Sequence, residues 1–78
     1  MKFYVGNLPY ETPEESVRQL FSRHGVVERI WIANTRVGTP HGHGFVLMSN
    51  VERAETVISM LDGFSFEGRE ITVNLARD

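Results

Sequence analysis

Two segments of this chain each carry a single apolar stripe at helical spacing, and something else in the chain has to cover both stripes. Val17, Leu20, Phe21 and His24 fall at i, i+3, i+4 and i+7, one side of a helix. Val51, Ala54, Ile58 and Leu61, with Val57 alongside, repeat the pattern. A short one-sided helix is marginal alone in water and needs an apolar surface to lie on. Thr12, Pro13, Glu14 and Glu15 predict where the first helix starts. Thr12 can cap, Pro13 suits the first helical position, and Glu15 would close a capping box. Gly25 predicts its end. Asn50 is expected to cap the second helix, and Asp62–Gly63 to end it.

Strand-like stretches supply the surface. KFYVG at 2–6, VVERIWIAN at 26–34, HGFVLM at 43–48 and EITVNL at 70–75 are rich in β-branched and aromatic residues. Ile30 and Ile32 fall on one side of the second stretch and Trp31 on the other. Val27 breaks the alternation with Ile30, which predicts a bulge near Glu28–Arg29. TRVGTPHG at 35–42 reads as a loop, and Phe64 to Gly68 as a short hairpin excursion. The order is β-α-β-β-α-β. It predicts an α+β, ferredoxin-like sandwich: a four-stranded antiparallel sheet with two helices on one face. The other sheet face has no cover within the 78 residues.

Seventy-eight residues allow one domain, residues 1–78. There is no cysteine, so disulfides and thiolate metal sites are out. No apolar run approaches the roughly 20 residues of a membrane-spanning helix, and MKFYVGNL lacks the apolar core of a signal peptide. An intracellular protein is expected, cytoplasmic sooner than nuclear. No cofactor and no membrane partner is expected. The net charge of −2 argues against a general polyanion binder. The helical segments hold both excess negatives, with Glu14, Glu15, Glu52, Glu55 and Asp62 against Arg18, Arg23 and Arg53. The rest of the chain balances.

The uncovered face decides the function. If Val5 points to the core, Lys2, Tyr4 and Gly6 point away from it. If Gly44, Val46 and Met48 face the core, His41, His43, Phe45 and Leu47 face out. Trp31 joins them from the second strand, and Thr72, Asn74 and Ala76 from the last. Four flat rings, Tyr4, Trp31, His43 and Phe45, then share one surface, an uncommon patch for a lone chain to leave bare. Rings with basic neighbours suit the stacking of unpaired bases. Lys2, Arg29, Arg36 and Arg77 lie on or beside that face.

These residues resemble the RNA-recognition motif family along essentially the whole chain. FYVGNL at 3–8 is similar to the family's first-strand hexapeptide, in which the position of Tyr4 carries a base-stacking ring. HGHGFVLM at 41–48 is similar to its third-strand octapeptide. Gly42, Gly44, Phe45 and Val46 fit that pattern. His41 stands where Lys or Arg is usual, and His43 and Met48 where aromatics are usual. Leu61-Asp62-Gly63 and Gly68-Arg69-Glu70-Ile71 resemble later landmarks. The resemblance implies a single-stranded RNA-binding module, open to single-stranded DNA, acting as a monomer and not as an enzyme. The implied contacts are Tyr4, His43, Phe45, His41, Lys2, Trp31, Arg36, Asn74 and Arg77. His43 would replace a phenyl ring by a smaller, more polar imidazole. His41 would replace a permanent cation by one charged part of the time near neutral pH.

Competing readings are weaker. His41 and His43 lie on one strand side, but no Cys, Asp or Glu near them in sequence completes a metal shell. Gly38, Gly42 and Gly44 lead into a strand, whereas a phosphate-binding glycine loop opens a helix. No nucleophile sits beside a base. A protein-interaction module on the same fold is the alternative. The loop DGFSFEG at 62–68 lacks the Arg-x-Phe that marks the family's peptide-binding branch.

Overall fold

The computed structural model describes residues 1–9, 12–33 and 41–76. Its elements run β1 (Lys2–Pro9), α1 (Glu14–Ser22), β2 (Val26–Ala33), β3 (His41–Ser49), α2 (Ala54–Leu61), β4 (Ser65–Phe66), β5 (Arg69–Glu70) and β6 (Thr72–Leu75). The main sheet is antiparallel with strand order β2-β3-β1-β6, and β4 pairs with β5 as a separate hairpin. This is the expected sandwich. α1 packs beside β2 and α2 beside β6. Phe3, Val5, Val46, Met48 and Val73 from the sheet meet Val17, Phe21, Val57 and Leu61 from the helices, all buried. Phe3 and Phe21 bring their rings within 6.2 Å.

The helix starts differ from expectation. Pro13, not Thr12, is the N-cap of α1, and no side chain caps it. Thr12 is 5% exposed and turns its hydroxyl back to the Pro9 carbonyl at 2.5 Å. That bond closes the turn leaving β1, so the capping box with Glu15 does not form. α2 begins at Ala54 with Arg53 as N-cap, four residues after Asn50. Asn50 instead adopts a left-handed conformation, φ 57°, which an Asn tolerates at a turn. Val51 precedes the helix but still packs on the core.

The strands also shift at their ends. β1 runs past Gly6 to Pro9 through an irregularity between Val5 and Leu8, where Asn7 takes φ 59°. The Asn7 side chain holds that bend. Its amide donates to the Glu70 carbonyl at 2.8 Å, and its oxygen accepts from Arg69 Nη2 at 2.5 Å. β3 begins at His41, so residues 41 and 42 belong to a strand; residues 35–40 of the expected loop lie outside the described residues. The last strand is shorter than the expected 70–75, because Glu70 pairs with Ser65 in the small hairpin. α1 ends at Ser22 with Arg23 as its C-cap, so His24, expected on the helical stripe, lies beyond the helix, as does Gly25. A β-carbon on it would sit 2.9 Å from both the Ser49 carbonyl and Val51 Cγ2, so its lack of a side chain serves close approach.

The bulge in β2 falls where the broken alternation places it. Val27 pairs with Met48 and Arg29 with Leu47, leaving Glu28 as the extra residue. Ser49 donates its hydroxyl to Glu28 Oε2 at 2.6 Å. The extra residue lets Val27 and Ile30 both face the core, and it sends Arg29 and Trp31 to the opposite side.

Candidate functional site

Register builds the site. Trp31 lies opposite Phe45, Phe45 opposite Tyr4, and Tyr4 opposite Asn74. These four side chains form one row across all four strands of the main sheet, on the face away from the helices. One neighbouring row holds Arg29, Leu47 and Lys2; the other holds Ala33 and His43.

The rings make a loose cluster around Tyr4. Its ring meets Phe45 edge-on, centroids 5.8 Å apart at 64°, and lies 6.3 Å from His43 at 31°. Edge contacts of this kind suit the ring quadrupoles and leave ring faces free. Tyr4 also folds over Gly6: a β-carbon there would lie 2.6 Å from the Tyr4 hydroxyl and 2.9 Å from its ring. Gly6 therefore forms the seat of the ring. Lys2 Nζ lies 5.4 Å from the Phe45 centroid, and the Arg29 guanidinium 5.4 Å from that of Trp31. Both cations are within cation–π range. His43, Trp31 and Asn74 are exposed, while Tyr4 and Phe45 are half-buried.

Six of the nine expected contacts, Lys2, Tyr4, Trp31, His43, Phe45 and Asn74, thus come together on one face. Arg36 and Arg77 lie outside the described residues, and of His41 only the backbone is described, paired with Pro9. Two features go beyond the expected contacts: the seat of the Tyr4 ring at Gly6, and the pairing with Trp31 of Arg29, which was expected only on or beside this face. The second was legible, because a bulge at Glu28 puts Arg29 and Trp31 on the same side. The first depends on a ring conformation that strand alternation does not specify. Among the described residues no cluster of three His, Asp or Glu side chains could hold a metal ion. A hollow of about 290 Å³ lined by His24, Val51, Glu52, Arg53, Thr56 and Val57 lies on the helix side, away from the rings.

This arrangement, an antiparallel β2-β3-β1-β6 sheet with rings on its free face and two helices behind, is the α+β, ferredoxin-like class of domain with one sheet face left open. The RNA recognition motif model matches residues 3–72, and the chain belongs to that family. It is 42% identical over 76 residues to the 28 kDa chloroplastic ribonucleoprotein of Spinacia oleracea, covering 96% of this chain and 33% of that protein. It is 37% identical over 78 residues to the RbpA protein of Nostoc sp., covering 99% of this chain and 76% of that one. The crystal structure of RNA Binding Protein PG1 superimposes with a TM-score of 0.83 at 34% identity, over 100% of this chain and 95% of the other. The chain therefore spans about a third of the spinach protein and three quarters of the cyanobacterial one.

Proposed function

We propose that this domain, residues 1–78, binds single-stranded RNA on its open sheet face. Tyr4, Phe45 and His43 stack unpaired bases, Lys2 meets the backbone, and Asn74 hydrogen-bonds a base edge. His41, Arg36 and Arg77 are assigned to backbone contact on the sequence resemblance alone. The observation that carries the reading is the ring cluster on the open face in which Tyr4 contacts both Phe45, its cross-strand partner, and His43. Family membership and the RNA-binding and ribonucleoprotein names of similar proteins support it. The chloroplast and cyanobacterial relatives support an intracellular setting. The reading is a monomeric binding module; it calls for no bond to be made or broken.

Each stacked base contributes about 1–3 kcal/mol. Two or three stacks, less the cost of association, leave roughly micromolar affinity for a short oligonucleotide. The experiment is the double variant Tyr4→Ala/Phe45→Ala titrated with labelled single-stranded RNA and, in parallel, single-stranded DNA. Binding should fall below detection while the circular dichroism of the fold is retained. Wild-type affinity in the double variant would place the RNA site elsewhere.

A further inference from the structure

We infer that Trp31, with Arg29 beside it, forms an additional base-stacking position at the β2 edge, so that the sheet takes one more nucleotide of a single-stranded RNA than Tyr4, His43 and Phe45 accommodate. The inference rests on the RNA-binding reading above and extends its footprint.

Trp31 is 43% exposed on the outermost strand of the main sheet. It continues the row of Phe45 and Tyr4 by one strand spacing, about 4.8 Å, so a chain lying across the rings reaches it without a change of direction. The rings differ in how they are engaged. Tyr4 contacts both Phe45 and His43, whereas no aromatic ring packs on Trp31 among the described residues. Its recorded partner is the Arg29 guanidinium at 5.4 Å. Arg29 forms no ion pair with a described residue, which leaves its charge for a phosphate. A ring that served only to shield the edge strand would gain by lying on its neighbours. Trp31 keeps 43% of its surface exposed with a cation beside it, and an indole with a guanidinium next to it suits both a base and its backbone. The bulge at Glu28 sends both side chains to the ring face, so the pair depends on a local irregularity of β2.

Trp31 is the chain's single tryptophan, so its emission reports on this position alone. The experiment titrates wild type, Trp31→Ala, Trp31→Phe and Tyr4→Ala with mixed-sequence single-stranded RNA of 2 to 8 nucleotides. In wild type, affinity should step up at one length, and tryptophan emission should change only from that length onward. Trp31→Ala should lose the step, binding the octamer about 5-fold more weakly, the low end for one stacked base, with the shortest oligonucleotides unaffected. Trp31→Phe should keep part of the step, which separates stacking from any loss of edge-strand packing. Equal octamer affinity in wild type and Trp31→Ala, or unchanged emission at saturation, would overturn the inference. If Tyr4→Ala still weakens binding in that case, the RNA-binding reading stands and only the additional position fails. If Tyr4→Ala is neutral too, both fail.

Discussion

The ring of Tyr4 rests on Gly6, two residues further along the same strand, at a spacing that leaves no room for a β-carbon: one placed on Gly6 would lie 2.6 Å from the Tyr4 hydroxyl. The ring that links Phe45 and His43 is therefore positioned by the absence of a side chain. Gly6→Ala should tilt Tyr4 off its seat and weaken RNA binding by about 1 kcal/mol, the lower bound for a disturbed stack, or roughly 5-fold. The core lies on the other side of the sheet, so the melting temperature should move little. Nuclear magnetic resonance shifts of the Tyr4 ring, measured with affinity, check both halves. Unchanged shifts would mean that the ring tolerates the methyl group.

His43 stands beside Tyr4 at a position where an aromatic hydrocarbon ring would stack more strongly. His43→Phe should raise affinity for single-stranded RNA by up to about 1 kcal/mol, since the side chain is exposed and only one face of a base is gained. Fluorescence anisotropy at fixed salt and pH measures it. A weaker variant would mean that the imidazole makes a hydrogen bond that the phenyl ring cannot.

Charge on the face is sparse. Lys2 and Arg29 are the described cations among the rings. With Arg36 and Arg77 nearby in sequence, about three phosphates should be neutralised, giving a log–log salt slope near −2 for a single strand. Titrations between roughly 50 and 200 mM salt determine it. A slope steeper than about −5 would reveal a basic surface elsewhere on the molecule.

Asn7 combines a left-handed backbone with hydrogen bonds to Glu70 and Arg69. Asn7→Ala should cost about 2–3 kcal/mol of stability, the strained φ of an alanine adding to the lost bonds. Asn7→Gly keeps the bend without strain and should cost about 1 kcal/mol. Urea unfolding compares the two. Glycine proving the more damaging would show that the backbone conformation is not what the asparagine supplies.

The helix stripes, the bulge at Glu28 and the outward set of Tyr4, Trp31, His43 and Phe45 were legible in the sequence, because each follows from a local period. A helix repeats every 3.6 residues and a strand every two, so a single break, Val27 to Ile30, is visible as an irregularity. The helix starts were less legible. Thr12 and Asn50 have capping side chains, but Thr12 bonds back to Pro9 and Asn50 bends left-handed, since the turns that leave β1 and β3 claim these residues first. The small hairpin took Glu70 from the last strand in the same way, by pairing it with Ser65 five residues earlier. Which rings share a row was beyond local reasoning altogether. Alternation assigns a face, while register decides which residue stands opposite which. That Trp31, Phe45, Tyr4 and Asn74 line up follows from two irregular ladders and a strand order in which β1 lies between β3 and β6. The sequence by itself determined the layers, the faces and the kind of side chain on offer. Tertiary structure alone decided their alignment and the seat beneath Tyr4, because both arise from contacts between strands and from the room a ring has to lie down.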